Sequence, residues 1–377
     1  MRKNLLVGWL ALLLAVIAGG VARAAISASF SSLTGILEVN GDSLDNIITI
    51  GRTIDGDLVV NDGAVRISSV FGVPPTVANT KQIQVNAGAG NDVVTLSESN
   101  GRLPRGLLLG GSGNDQLIGG SGDDVLAGEQ GNDFVRGGGG EDILGGQEDN
   151  DTLLGDTGDD EVDGGGGSDL LIWNNGDGSD FMGGGEGNDF VQVNGANGAG
   201  DDFSIDPNGQ RVRFQRNNLG LFTLDIGTTE NLDVNGQGGS DVIVGSTGLS
   251  GLIALDLDGG EGNDLLIGGD GVDVLRGGAG NDTLIGNEEN DVVLGQDGSD
   301  LMIWNNGDGS DFLEGGADTD TVQVNGSNTA GDDFSIDPNG ERVRFRRNNL
   351  GLFTLDIGTT ENLDVNGQGG SDVIVGS

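Results

Sequence analysis

Over two long stretches of this chain one apolar side chain returns every nine residues, set among glycines and polar residues. Leu117, Leu126, Val135, Leu144, Leu153, Val162 and Leu171 keep that spacing, and Leu266, Leu275, Leu284, Val293 and Met302 keep it again. The spacing predicts a three-residue strand with one side chain facing inward, followed by a turn. No 3.6-residue apolar period occurs after residue 24. The expected fold class is therefore all-β and elongated, a parallel β-roll (β-solenoid) interrupted by β-hairpin segments.

The turns carry the rest of the pattern. Twelve nine-residue units begin with Gly and hold Asp at the sixth place, among them GGSGNDQLI from Gly110, GEQGNDFVR from Gly128 and GGAGNDTLI from Gly277. Their aspartates are Asp115, Asp124, Asp133, Asp142, Asp151, Asp160 and Asp169, then Asp264, Asp273, Asp282, Asp291 and Asp300; Asp92, Asp180, Asp189, Asp241, Asp311, Asp320 and Asp372 occupy related turns. Glycine lets such a turn take positive φ and bring its carbonyls together, while Asp adds a carboxylate. Hard oxygen ligands of both kinds suit Ca²⁺. Two nonamers close one flat coil of about eighteen residues, and coils stack at roughly 4.8 Å as parallel strands. A disordered Gly/Asp linker would have no reason to hold an aliphatic residue at the eighth place of all twelve units.

The pattern GGxGxDxUx resembles the RTX, or hemolysin-type, calcium-binding nonapeptide repeat. That resemblance implies several ions in rows between adjacent turns, each held by these Asp carboxylates and by turn carbonyls around Gly111, Gly113, Gly120, Gly122, Gly131, Gly260, Gly262, Gly269, Gly271 and Gly280. The motif is specific for Ca²⁺ and uninformative about role, since the same repeats accompany proteases, toxins, lipases, epimerases and adhesins. Family members commonly leave the cell by a one-step route with an uncleaved carboxy-terminal signal. This chain departs from them by opening with Arg2, Lys3, an apolar run from Leu5 to Val21 and the small-x-small site Ala22-Arg23-Ala24, which predict a Sec-type signal peptide and a secreted or cell-surface destination. The alternative reading of that run is an uncleaved membrane anchor; after cleavage no stable membrane insertion is expected.

Sixty acidic and seventeen basic residues with no His leave a formal charge of −43, which argues against a nucleic-acid partner. Only 35% of residues are hydrophobic and 76 are Gly, so bound calcium must supply much of the folding free energy. With no Cys, the ion takes the place of disulfides.

A larger repeat contains the small one. Residues 164–246 recur as 295–377 at an offset of 131, whereas Gln84 aligns with Asp233, and Gly110 with Gly259, at 149. The two offsets differ by eighteen, one complete coil. The expected organisation is a signal peptide over 1–24, a capping region over 25–85, rolls over 86–192 and 234–323, hairpin inserts over 193–233 and 324–364, and the start of a third roll over 365–377. Each insert pairs Phe203-Ser204-Ile205 with Arg211-Val212-Arg213-Phe214 through the turn Asp206-Pro207-Asn208-Gly209, and a further strand follows in Leu221 to Ile226. Its attachment to one particular side of the roll is expected, so that deleting a single nonamer would misplace it. The uncapped final coil suggests self-association or a truncated product.

Arg211, Arg213, Arg216, Arg342, Arg344, Arg346 and Arg347 form either a strip for an acidic glycan or, preferably, a strand face paired with neighbouring carboxylates. Trp173 and Trp304, each in IWNNGDGSDF, are expected to cover a bulge more readily than to form a sugar platform, because the next Asp comes eleven residues on. The NNGDGSD string fails as an EF-hand loop because Asp180 stands where Gly is needed. Without His or Cys, Ser-His-Asp and HExxH chemistry are impossible, and no enzyme activity is expected; a carboxylate dyad is not excluded by residue type. Asp149, Glu289 and Asp318 replace the fourth-place Gly and put their turns in doubt. The resulting expectation is a secreted calcium-binding protein with a structural or adhesive role and a glycan or cell-surface partner. Its rivals are the calcium-dependent folding module of a secreted enzyme or toxin, and a calcium-dependent glycan- or ice-binding surface.

Overall fold

The computed structural model describes residues 24–376, and the apolar run read as a signal peptide lies outside them. The described chain is β throughout apart from one 3₁₀ turn, Asn61–Gly63. Along the regular blocks each nonamer contributes one strand, and alternate nonamers enter alternate sheets. Val125–Gln130 pairs in parallel with Ile143–Glu148, Val125 opposite Ile143, and that strand pairs with Glu161–Gly167, Ile143 opposite Glu161. On the other sheet Phe134–Gly139 pairs with Thr152–Thr157, and Thr152 stands opposite Leu170. The register therefore advances by the eighteen residues of one coil. At the IWNNGDGSDF segment it advances by twenty, with Glu161 opposite Phe181.

The eighth-place residues face each other across the coil. Leu117, Leu126, Val135, Leu144, Leu153, Val162 and Leu171 are all buried, as are Leu266 to Met302 at the same spacing. One aliphatic side chain per nine residues, contributing roughly 1.5–3 kcal/mol on full burial, makes a thin core. Trp173 and Trp304 lie inside it at 1% exposure. Each indole donates across its bulge, Trp173 Nε1 to the Gly178 carbonyl at 3.0 Å and Trp304 Nε1 to that of Gly309 at 3.1 Å. The sugar-platform alternative is thereby removed.

The inserts continue the sheets. In the first, Asp202–Asn208 and Arg211–Arg216 form an antiparallel hairpin, and Phe222–Gly227 pairs antiparallel with the second of these. The three strands are spliced into one sheet, Phe222–Gly227 lying parallel to Phe181–Gly187 and Asp202–Asn208 parallel to Val242–Gly245. Across the coil, Phe190–Asn194 passes directly to Asn231–Asn235 in the other sheet. The turn is later than expected: Pro207 is paired with Val212, and Gly209-Gln210 makes the reversal between Asn208 and Arg211. Gly209 there takes φ +71°, a left-handed conformation that suits a two-residue hairpin.

The second insert repeats these pairings, with Asp333–Asn339, Arg342–Arg347 and Phe353–Gly358, but in the opposite sheet. The expectation of a fixed attachment side is overturned. Ten strands lie between the two copies, alternating between the sheets and beginning in the sheet opposite the first insert, so the same sequence joins the other face of a roll whose two sheets are equivalent. The sheets hold eighteen and seventeen strands. Each is an open ladder: among the described residues no pairing joins the strand Leu58–Val60 at one end to Val373–Gly376 at the other.

Amino-terminal strands Ser27–Ser31 and Ile36–Asn40 form an antiparallel hairpin whose second strand pairs in parallel with Gln82–Ala89. Its first strand pairs in parallel with Ile67–Val70, which is the edge of that sheet.

Candidate metal centres

Every turn aspartate of the regular blocks is buried, and one carboxylate oxygen of each does the same task. Asp133 Oδ1 accepts the backbone N–H of Asp115 at 2.7 Å, Asp151 Oδ1 that of Asp133 at 2.7 Å, Asp169 Oδ1 that of Asp151 at 2.8 Å, and Asp189 Oδ1 that of Asp169 at 2.8 Å. A second row on the opposite edge runs through Asp124, Asp142, Asp160 and Asp180. From the start of the first insert onward, Asp201, Asp241, Asp264, Asp282, Asp300 and Asp320 form one row, and Asp273, Asp291 and Asp311 another. Each carboxylate thus ties its own coil to the one before it.

The second oxygen has no such partner. Oδ2 of Asp92, Asp115, Asp133, Asp142, Asp151, Asp160, Asp169, Asp189, Asp241, Asp264, Asp282, Asp291, Asp300 and Asp320 is buried without a hydrogen-bond donor. It shares its place with a carbonyl from the next coil. The point that a side chain on Gly110 would occupy lies 2.4 Å from Asp115 Oδ2 and 2.7 Å from the Gly128 carbonyl; at Gly277 the distances are 2.4 Å to Asp282 Oδ2 and 2.7 Å to the Gly295 carbonyl. An ionised carboxylate oxygen buried beside a carbonyl, with no donor of its own, is disfavoured unless a cation or a proton joins it. No point among the described residues gathers three or more acidic side chains, so carbonyls must complete any ligand set. Carboxylate and carbonyl oxygens at a flexible turn are the donor set of Ca²⁺.

Comparison with known proteins agrees with this geometry. The sequence model of the family described as RTX calcium-binding nonapeptide repeat (4 copies) matches residues 109–144, 145–172, 176–191, 256–284, 267–302 and 306–328. The chain belongs to the RTX calcium-binding repeat family. Ca²⁺ is its cofactor, and its RTX rows of aspartates carry oxygen donors of the kind that ion takes. No curated protein matches the sequence. Among solved structures, the extracellular lipase LipA from Serratia marcescens is similar at 16% identity and a TM-score of 0.18, over 74% of this chain and 43% of the lipase.

Burial sets the electrostatics of the RTX rows. Desolvation pushes Asp115, Asp142, Asp151, Asp180, Asp241 and Asp311 up to about 7, and Asp291 to about 8. The N–H bonds from the preceding coil oppose the shift, and neighbouring row carboxylates add to it. Asp133, Asp160, Asp169, Asp273, Asp282 and Asp300 rise to about 6 for the same first cause. Without a cation these carboxyls hold protons at pH values where they would ordinarily be ionised.

The predicted residues are not all alike. Asp124 and Asp273 begin their rows and have both oxygens engaged by N–H groups: Asp124 by Gly106 at 2.5 Å and Gly120 at 2.7 Å, Asp273 by Leu255 at 3.2 Å and Gly269 at 2.7 Å. Their turns also differ, since Gly120, Gly122, Gly269 and Gly271 are not left-handed, whereas Gly111, Gly113, Gly131, Gly260, Gly262 and Gly280 are. The carbonyls beside the orphaned oxygens belong to the first Gly of the following coil. Asp372 is exposed and accepts the Asp332 N–H at 2.9 Å. Asp149, Glu289 and Asp318 keep the turn after all, at φ +75°, +74° and +75°, a conformation costing a non-Gly residue about 1 kcal/mol.

Four acidic residues outside the nine-residue phase also join the rows: Asp201, Asp332, Glu230 and Glu361. Asp201 and Asp332 already have cations. Arg216 reaches Asp201 Oδ1 at 2.8 Å and Arg347 reaches Asp332 Oδ1 at 3.0 Å, with all four side chains buried. Arg211 and Arg342 pair with Asp225 and Asp356 and lie over Phe181 and Phe312. Arg213 pairs with Asp206, and Arg346 with Asp337. Six of the seven arginines of the inserts, all but Arg344, are thus engaged with carboxylates, the preferred of their two sequence readings.

Proposed function

We propose that this calcium-binding β-roll is exported and serves outside the cell as a structural or adhesive scaffold without catalytic activity of its own. The observation that carries this reading is the use made of the buried carboxylates. Apart from Asp177, which accepts the Asn174 N–H at 2.6 Å and closes the Trp173 bulge, every buried Asp lies in an edge row. None is left over to act as a general acid beside a cleft. Export supplies the millimolar calcium that such turn sites need, and the amino-terminal apolar run supplies a route.

The adhesive part rests on the inserts. In each, an Asn-Asn-Leu-Gly-Leu loop joins the second and third strands and exposes its leucines, Leu219 and Leu221 in one copy and Leu350 and Leu352 in the other. The two loops belong to inserts in opposite sheets of one scaffold. Among the described residues no helix is long and apolar enough to cross a membrane.

The test uses the secreted chain on immobilised glycans and on whole cells, in calcium and in EGTA. Calcium-dependent retention that falls when Leu219, Leu221, Leu350 and Leu352 are changed to Ser supports the reading. Retention independent of calcium, or hydrolysis of an ester, peptide or glycoside substrate by the chain alone, contradicts it.

A further inference from the structure

The RTX row that runs through Asp169 and Asp189 does not stop at the first insert. One coil later its place is taken by Glu230, whose Oε2 accepts the Asp189 N–H at 2.9 Å across 41 residues of sequence. Asp189 is fully buried, and its Oδ2 has no donor. The point a side chain on Gly184 would occupy lies 2.6 Å from that oxygen and 2.5 Å from the Thr228 carbonyl. In the regular coil before it, the corresponding distances at Gly164 are 2.4 Å to Asp169 Oδ2 and 2.5 Å to the Gly184 carbonyl. Thr228 stands where Gly184 stands one coil earlier and takes φ +51°, whereas Gly184 is not left-handed.

The second insert repeats the arrangement on the other edge. Glu361 Oε2 accepts the Asp320 N–H at 2.9 Å, and Asp320 is fully buried with an orphaned Oδ2. At Gly315 that oxygen and the Thr359 carbonyl each lie 2.4 Å from the side-chain point. Thr359 has φ +40°.

We propose that each insert is closed by a composite calcium site, built from Asp189, the Thr228 carbonyl and Glu230 in the first copy and from Asp320, the Thr359 carbonyl and Glu361 in the second. The proposal rests on the calcium reading of the regular rows and extends it to residues outside the nonapeptide. In a regular row both halves of a site come from neighbouring nonamers. Here they come from the segments entering and leaving the insert, so the ion clamps the returning strand onto the roll. On the other edge the row is broken, because three strands are spliced between Phe181–Gly187 and Val242–Gly245. The buried arginine on Asp201 or Asp332 supplies the positive charge there. One edge of each insert is thus closed by a bound cation and the other by a covalent one. Glu230 and Glu361 are exposed, so these sites face solvent at the ends of their rows.

Glu230→Gln, Glu361→Gln and the double variant keep an oxygen for the N–H bond while removing the charge. Calcium stoichiometry by equilibrium dialysis and amide exchange across a calcium series read the result, with Asp133→Asn as a regular-row control. The double variant should bind two fewer ions. Protection of residues 228–235 should require roughly tenfold more calcium in Glu230→Gln, and that of 359–366 in Glu361→Gln, with residues 125–167 unchanged. Wild-type stoichiometry and protection in both Glu variants, beside a responsive Asp133→Asn, would overturn the composite sites alone. A wild-type chain that binds no calcium would overturn these sites and the regular rows together.

Discussion

At the scale of single residues, the two oxygens of a row aspartate have separate tasks, and substitutions can tell them apart. Asp133→Asn keeps an acceptor for the Asp115 N–H but removes the charge from an orphaned oxygen, so it should raise the calcium midpoint of folding severalfold. Asp124→Asn changes a carboxylate whose oxygens both already accept N–H groups, and its midpoint should move less. Calcium titrations followed by circular dichroism compare the two; equal shifts would show that the orphaned oxygen is not the ion ligand. Arg216→Met leaves Asp201 charged and buried without its cation. It should cost about 3 kcal/mol even in saturating calcium, seen as a lowered thermal midpoint.

If the rows hold calcium, protons and calcium compete for the same carboxyls. Burial raises Asp142 and Asp151 to about 7 and Asp291 to about 8 in the ion-free fold, from an ordinary 3.8. For groups raised in this way, the contribution to ion-free stability is complete below pH 3.8 and lost as pH rises through about 6 to 8. In EGTA the chain should therefore be more compact at pH 4 than at pH 8. The calcium midpoint should rise between pH 8 and pH 6, because protons occupy the sites. A midpoint that falls over that interval would contradict the assignment.

At the scale of elements, the alternation of nonamers between two equivalent sheets governs what a deletion does. The second insert sits in the sheet opposite to the first, so transfer of downstream strands to the other face is tolerated. Removing residues 137–145 should then cost about half a coil of contacts, and removing residues 137–154 a whole coil. Both variants should fold with calcium, the shorter deletion melting higher. A nine-residue deletion that melts below the eighteen-residue one would restore a fixed attachment side.

Much of this level was legible in the sequence. The apolar eighth place, the eighteen-residue register and the turn glycines follow from local chemistry repeated many times. The insert was less legible. Pro207 and Asn208 read as turn residues, yet Pro207 is paired in the strand, and the reversal falls at Gly209-Gln210. Asp201 and Arg216 meet only through tertiary packing, which no spacing reveals. Glu230 did leave a signal: Thr229-Glu230-Asn231-Leu232 places Leu232 two residues after the acid, as Val191 follows Asp189, but Glu and the 41-residue separation broke the nine-residue phase.

For the whole molecule, a charge of −43 and a thin core make an ion-free fold hard to sustain at neutral pH. With its rows filled, the stack should form a rod of roughly 80 Å, taking about 4.8 Å for each of its seventeen or eighteen strands. The most direct measurement is small-angle scattering of the mature chain at pH 7.5 across a calcium series, with circular dichroism on the same samples. The RTX rows predict an expanded, strand-poor chain in EGTA that becomes a compact, strand-rich rod near roughly 10⁻⁴ to 10⁻³ M calcium. A rod of the same dimensions and strand content in excess EGTA would contradict calcium as the agent that holds the coils together.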